Sequence, residues 1–353
     1  MKLLYVSAFP PNQKTGGQNF SLNAINELSE KYYIDLIFFS YSNHNCEIKI
    51  NKKILSKTVY KIKKIDFLKR IWLHPIFSRR FNKQVLKEIQ KKSSDYDIIY
   101  FDYSQVALYS LYLKHPYKIL RMHDVLYQKF KRKNIFLEKW VTKTEKKLLQ
   151  SFNKVFVPSK KDVDLIKSVY GVNVLYTNEY LKKIDFPDFI NQCNQFVFYG
   201  YWKRTENTDG LIWFIKKVLP LINKDIKIVV IGGGLDSAIQ SNYLEKNNID
   251  YLGFVDNPLE IIIKSNAVIV PLFQGAGIKV KVIDSFSVGT PVIGTELAFE
   301  GLPEISGLSY CATDEKQFAN FINSFKSLSY LEKKQASNDF NKEYNNHHLL
   351  EQL

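Results

Sequence analysis

Short apolar runs alternate with longer polar-amphipathic segments along this chain, and the alternation happens twice. In the first half Leu3–Ser7, Ile34–Ser40, Ile98–Asp102, Lys118–Met122, Lys154–Val157 and Asn173–Tyr176 read as strands. Helical stretches lie between them, at Asn19–Lys31, Val85–Lys92 and Phe136–Phe152. Strands separated by helices pair in parallel, and the helices cover both faces of the sheet. The pattern then restarts with strands at Phe196–Tyr199, Ile226–Ile231, Asp250–Leu252, Ala267–Val270 and Pro291–Thr295. Its helices fall at Asp209–Leu219, Leu235–Asn247, Leu259–Lys264 and Val280–Ser287. Between the two series, Tyr180–Gln195 is polar and carries Pro187, which suits a linker. The 353 residues are enough for two domains with separate cores. The expectation is an α/β protein of two doubly wound domains facing across a cleft. Their bounds are 1–180 and 196–335, with a linker at 181–195 and a helical tail at 336–353 that packs back on the first domain. Ligands of such sheets bind beyond the carboxyl ends of the strands.

The most informative strand end is Pro271–Gly301, PLFQGAGIKVKVIDSFSVGTPVIGTELAFEG. A buried run, Ala267–Val270, feeds the glycine turn Gly275-Ala276-Gly277, and Lys279 and Lys281 follow. Asp284 sits on the helical segment that ends at Gly289. Small residues let backbone N–H groups approach an oxyanion, and a first helical turn leaves N–H groups unpaired. The lysines supply the charge a diphosphate needs. An acid one or two turns into the helix can accept hydrogen bonds from ribose or sugar hydroxyls. The competing reading is an ordinary crossover with surface lysines.

Other strand ends hold candidate groups. Gly16-Gly17 stands just ahead of the first helix, where a tight turn and close approach to a ligand are allowed. His123-Asp124 lands at the end of the Lys118–Met122 strand, where a histidine can orient a sugar hydroxyl or move a proton. Gly200 and then Lys203 and Arg204 follow a strand of the second series, and Asn207 or Asp209 is expected to cap the next helix. Gly232-Gly233-Gly234 invites a dinucleotide-binding reading. Ser237, however, stands where G-x-G-x-x-G needs its third glycine, and after the next strand no acid stands in the place a ribose-binding residue needs. Hydride transfer by a nucleotide-dependent oxidoreductase is therefore kept only as a distant rival.

Lys and Arg number 50 against 35 Asp and Glu, a formal charge of +15, and the excess is uneven. Lys52–Lys83 interleaves basic residues with Phe67, Trp72, Phe77 and Phe81 and has one acid, Asp66. A second such stretch is Lys129–Trp140. Basic and large apolar side chains together suit an anionic membrane surface, where each basic residue contributes about 1 kcal/mol. A solvated face is the plain alternative. No RNA- or DNA-reading motif is present, so no nucleic-acid partner is expected. No apolar stretch approaches the ~20 residues of a spanning helix, and the apolar run of MKLLYVSAFPP is too short for a secretion signal. Cys46, Cys193 and Cys311 are scattered and lack metal-ligand spacing, which suits a reducing cytoplasm. A cytoplasmic protein at the inner face of the cell membrane is expected.

Taken together, these residues resemble the retaining glycosyltransferases of the GT-B fold, in the large group-one set (family four). The matches run in order along nearly the whole chain. In the first half they are Gly16-Gly17, His123-Asp124, and Glu145 ahead of a strand ending in Pro158-Ser159. In the second they are Phe198–Gly200, Asn207, Trp213-Phe214, Ile231–Gly233, Gly253–Asp256, and the block PL…GAGIKVKVID…GTPVIGT…EGL. The resemblance implies two Rossmann-like domains and a UDP-sugar or GDP-sugar donor, with neither metal nor cofactor. It places Gly16 and Gly17 against the donor diphosphate or sugar, and His123, with Asp124 beside it, near the reacting sugar. Gly275, Gly277, Ile278, Lys279 and Lys281 would hold the diphosphate, Asp284 the ribose, and Phe254 and Val255 the base. Gly200, Lys203, Arg204 and Gly233 would complete the donor site. The acceptor would be a glycan or a lipid-linked sugar in bacterial surface polysaccharide or lipopolysaccharide synthesis. Two departures stand out. Typical members carry two glutamates around this block, whereas here the second is Asp284 and the first falls on Gln274 or Ala276. Tyr176-Thr177-Asn178-Glu179 replaces the usual Pro-Asn-Gly-x-Asp. The lost acid favours the second reading, a non-catalytic GT-B-like binding subunit.

Overall fold

The computed structural model describes residues 1–12, 16–41, 53–63, 68, 73–132, 135–178, 181, 186, 193–236, 239, 241–347 and 349–353. Two units divide the chain, Met1–Tyr180 with His347–Leu353, and Leu181–Asn346. In the first unit the strands are β1 (Lys2–Ser7), β2 (Tyr33–Tyr41), β3 (Ile54–Ile62), β4 (Ile98–Asp102), β5 (Lys118–Arg121), β6 (Lys154–Val157) and β7 (Leu175–Tyr176). Among the described residues they form one parallel sheet in the order β3-β2-β1-β4-β5-β6-β7. Its helices are α1 (Gly16–Leu28), α2 (Pro75–Ser78), α3 (Lys83–Lys92), α4 (Leu126–Lys131), α5 (Ile135–Leu149) and α6 (Lys160–Tyr170). Successive residues of β1 serve opposite faces, as strand geometry requires. Leu4 and Val6 join a core with Phe77, Val85, Ile89 and Val141. Leu3 and Tyr5 join the other, with Leu22, Ile25 and Leu28 of α1 and Leu349 from the chain end. That end is also tied by Leu350 N–H to Glu27 Oε1 (2.7 Å) and Gln352 Nε2 to the Tyr176 carbonyl (2.9 Å).

The second unit repeats the plan. Its strands are β8 (Gln195–Tyr199), β9 (Lys227–Ile231), β10 (Ile249–Gly253), β11 (Ala267–Val270), β12 (Val292–Gly294) and β13 (Ser309–Cys311), in the parallel order β10-β9-β8-β11-β12-β13. Helices α7 (Thr205–Lys217), α8 (Ser241–Lys246), α9 (Leu259–Ile262), α10 (Val280–Ser287), α11 (Glu315–Asn323) and α12 (Tyr330–Tyr344) cover it. In α12 the buried Lys333 ammonium donates to the carbonyls of Ile263 (2.8 Å) and Ser265 (2.6 Å), just past the end of α9. Strand order reverses between β1 and β4 in one unit and between β8 and β11 in the other. Each reversal splays the two flanking loops apart and leaves a crevice beyond the strand ends.

Several expectations need correction. The basic segment Lys52–Lys83 contains β3, an edge strand, because Lys57 and Lys61 alternate with the inward residues Thr58, Tyr60 and Ile62. Phe77 is fully buried and Phe81 nearly so; both belong to the core and neither can meet lipid. Phe67, Trp72 and Asp66 lie outside the described residues, as does most of the linker. The first helix begins at Gly16 rather than Asn19. Beyond Leu235 the described helix is confined to Ser241–Lys246. Among the described residues no helix is long and apolar enough to cross a membrane.

A core role for Phe77 is measurable. Phe77→Ala should destabilise the first unit by about 3–5 kcal/mol, read from hydrogen exchange of β1 and β4 amides. A loss under about 1 kcal/mol would return the ring to the surface.

Candidate functional site

In the second unit the crevice between β8 and β11 is lined by two loops and two helix starts. After β8 the chain passes Gly200 and Trp202, and Trp202 Nε1 donates to the Ile231 carbonyl of β9 at 3.1 Å. The next loop comes so close that a side chain on Gly232, at φ 114°, would meet the Gly200 carbonyl at 1.8 Å. Helix α7 then starts at Thr205, with Arg204 as its N-cap and no side-chain cap bond. Neither Asn207 nor Asp209 caps it, contrary to expectation. Asn207 lies within the first turn, and this frees its amide for other partners. Its Nδ2 donates to the Tyr201 carbonyl (2.9 Å), and its Oδ1 accepts from Lys281 Nζ (2.8 Å).

Lys281 comes from the opposite side of the crevice. β11 runs through Pro271–Gly277 into α10, with Gly275 at φ 130° and Gly277 at φ 72°. Only glycine adopts these conformations freely, so the turn into α10 depends on both of them. Lys279 is the N-cap residue. Its ammonium is already engaged, bonded to the Gly277 carbonyl and 3.6 Å from Glu300 Oε2. Lys281 differs, since its hydrogen-bond partner is a neutral amide. Loss of surrounding water pushes its ammonium down to about 7, Arg204 and Lys279 add repulsion, and Glu206 opposes them. One turn on, loss of water pushes the Asp284 carboxyl up to about 7 against a hydrogen bond from Tyr199. The crevice thus presents an under-neutralised ammonium and a helix N-terminus, a pairing that favours an anion.

The other predicted residues of this unit surround it unevenly. Lys203 packs its stem where Gly234 leaves room. Arg204 is exposed and 3.9 Å from Glu206. Gly233 faces Phe254, which is 64% exposed, and Val255 follows it half-buried. Ile278 is half-buried beside the glycine loop. Gln274, which stands where an acid was looked for, donates to Asp209 Oδ2 at 3.1 Å.

In the first unit the corresponding crevice, between β1 and β4, holds His123. Gly16 and Gly17 open α1 there, and a side chain on Gly17 would sit 2.9 Å from the Tyr103 hydroxyl. The Tyr103 ring stacks on the His123 imidazole, with centroids 3.7 Å apart and planes within 10°. His123 Nε2 lies 2.8 Å from Oδ1 of the fully buried Asp102. Burial would raise the Asp102 carboxyl; His123, Arg121 and Ser21 outweigh it and hold the group below its usual range. Asp124 turns elsewhere and pairs with Lys129 at 3.3 Å. Behind it the buried Glu145 accepts from the Leu126 and Tyr127 N–H groups, both at 3.1 Å, so it caps α4 directly after His123-Asp124. Burial pushes this carboxyl up to about 7, against hydrogen bonds from Tyr170 and the two N–H groups. Sequence reasoning missed Asp102, Tyr103 and Tyr199, which stood inside or beside strands with no spacing signal. Among the described residues no group of three or more His, Cys, Asp or Glu is placed to hold a metal ion.

The two parallel sheets, ordered β3-β2-β1-β4-β5-β6-β7 and β10-β9-β8-β11-β12-β13, belong to the GT-B fold. Solved structures share it across the chain. HepE of Anabaena in complex with UDP matches with a TM-score of 0.70 at 12% identity, covering 98% of this chain and 97% of that one. WaaG, a glycosyltransferase involved in lipopolysaccharide biosynthesis, matches with a TM-score of 0.65 at 12% identity, covering 98% and 96%. Residues 193–326, within the second unit, match the family model of glycosyl transferases group 1. A relative in Klebsiella pneumoniae, an uncharacterized 44.6 kDa protein in the cps region, is 28% identical over 270 residues, or 69% of each chain.

The lowered Lys281 ammonium predicts a proton linkage. With its pKa at about 7, Lys281 is mostly neutral at pH 8, whereas a bound diphosphate favours the charged form. Binding of uridine or guanosine diphosphate at pH 8 should therefore take up about one proton. Affinity should fall by up to about tenfold per unit as pH rises above 7. Calorimetry in buffers of different ionisation enthalpy reads the uptake, which should vanish in Lys281→Ala. Uptake unchanged in that variant would assign the proton to another group.

Proposed function

We propose that the chain transfers a sugar from a nucleotide-diphosphate sugar to a hydroxyl of a glycan or lipid-linked acceptor, with retention of configuration. Its product would belong to a bacterial surface polysaccharide or lipopolysaccharide. The observation that carries this reading is the Lys281–Asn207 bond across the crevice of the second unit, where a departing diphosphate would be neutralised. Lys281, Lys279, Arg204 and the N-terminus of α10 supply positive charge where negative charge develops, which is the role a metal ion would otherwise fill. Asp284 and Tyr199 would meet the ribose, and Phe254 and Val255 the base. Gly16 and Gly17 would lie against the donor, and His123 against the reacting sugar. Supporting context comes from HepE, which binds UDP, from WaaG, which acts in lipopolysaccharide biosynthesis, and from the relative in the cps region.

Incubation with a panel of UDP- and GDP-sugars tests this directly. Release of nucleotide that depends on added acceptor is expected. In His123→Ala turnover should fall by about 100-fold, with donor affinity within about threefold of wild type. Tight nucleotide binding without transfer to any acceptor would favour the non-catalytic binding subunit.

We further propose a cytoplasmic site of action in peripheral contact with an anionic membrane. The two basic-aromatic stretches meet in the first unit, where His74 packs edge-on against Phe130 (4.7 Å) and Trp140 (5.1 Å). Around them Lys131, Arg132 and Lys139 are exposed, and the edge strand presents Leu55, Lys57, Val59 and Lys61 on one face. Co-sedimentation should favour anionic over neutral vesicles at low salt and weaken as the Debye length shrinks from ~10 Å at 0.1 M to ~3 Å at 1 M. Equal binding to both vesicle types, or none, contradicts membrane contact.

A further inference from the structure

We infer that Asp102 is a positioning residue that fixes the Nε2 proton of His123, so that Nδ1 is the ring atom presented to a sugar hydroxyl. The inference rests on the reading of His123 as the sugar-facing residue. Asp102 ends β4 and is fully buried. Each of its oxygens has a partner. Oδ1 lies 2.8 Å from His123 Nε2, and Oδ2 accepts from Ser21 Oγ at 2.5 Å. Arg121, 5% exposed, adds favourable charge. An ionised carboxylate only accepts, so Nε2 must carry the hydrogen. In the neutral ring this leaves the Nδ1 lone pair, and among the described residues no hydrogen-bond partner reaches Nδ1. The side chain of His123 remains 11% exposed, so a ligand can reach it.

The orientation of the ring is held independently. Tyr103, directly after Asp102, adopts φ 77° and ψ 142°, a conformation that side-chain-bearing residues rarely enter. It lays the phenol flat against the imidazole. A flip of the His123 ring within the stacked plane would break the Asp102 bond, and tilting it out of that plane would break the stacking as well. The Ser21 bond extends the hold to α1, whose first residues are Gly16 and Gly17. A hydroxyl donating to Nδ1 needs no proton transfer; the ring accepts one hydrogen bond and keeps its own proton on Nε2.

Long-range proton–nitrogen spectra of the full chain, labelled in histidine, read this tautomer without any substrate. His123 signals are identified by their loss in His123→Gln. The neutral ring should carry its hydrogen on Nε2, and Asp102→Ala should give a mixture of both tautomers. The same variant should lose about 100-fold in kcat, with KM for the nucleotide sugar within about threefold of wild type. A wild-type ring protonated on Nδ1 overturns the inference, whatever the variant does. An Asp102→Ala protein that keeps both the wild-type tautomer and wild-type kcat overturns it too. The Nε2–H tautomer in a chain that transfers no sugar contradicts the transfer reading alone.

Discussion

A single hydrogen bond, from Lys281 Nζ to Asn207 Oδ1, closes the switch point of the second unit. Everything around it is arranged to place an ammonium there without cancelling its charge. Gly275 and Gly277 allow the sharp turn into α10, and Gly200 leaves room for Nζ, which would sit 3.1 Å from a side-chain carbon at that position. Glu300 is spent on Lys279, its near neighbour. Asn207 fixes the geometry of Lys281 but gives no counter-charge. A desolvated ammonium without a carboxylate is costly, and the fold bears that cost at the position where an anionic ligand would offset it.

The two units use one architecture for different chemistry. Both open a crevice where strand order reverses. In the second the crevice gathers positive charge and a helix N-terminus. In the first it gathers a buried carboxylate, an imidazole and a stacked phenol. The charged arrangement of the second unit suits phosphate, and that of the first unit suits the orientation of hydroxyls. Glu145 serves the crevice of the first unit from behind, because its hold on the first turn of α4 fixes the segment that follows His123.

Much of the fold was legible because the strands alternate with helices and are apolar on both faces. Helix α10 falls at Val280–Ser287, as its apolar spacing after the glycine turn implied. The failures have physical causes. β3 was hidden because an edge strand keeps only part of its apolar pattern and its outward positions are lysines. Phe77 and Phe81 looked amphipathic beside so many basic residues, yet a short helix and the turn after it place them in the core. Of the candidate site, the glycine turn and both lysines were visible, since composition and spacing carried them. The distinction between them was not, because it depends on Glu300 and Asn207, which come from distant elements. Asp102 was likewise invisible, since a carboxylate at a strand end shows its purpose only when the neighbouring strand brings a histidine to it.

A crystal structure of the chain with uridine or guanosine diphosphate bound tests the role of Lys281 most directly. Both phosphates should lie at the N-terminus of α10, with an oxygen within hydrogen-bond distance of Lys281 Nζ and the Lys281–Asn207 contact retained or exchanged for that oxygen. A nucleotide seated away from the crevice between β8 and β11, with Lys281 still bonded only to Asn207, would contradict it.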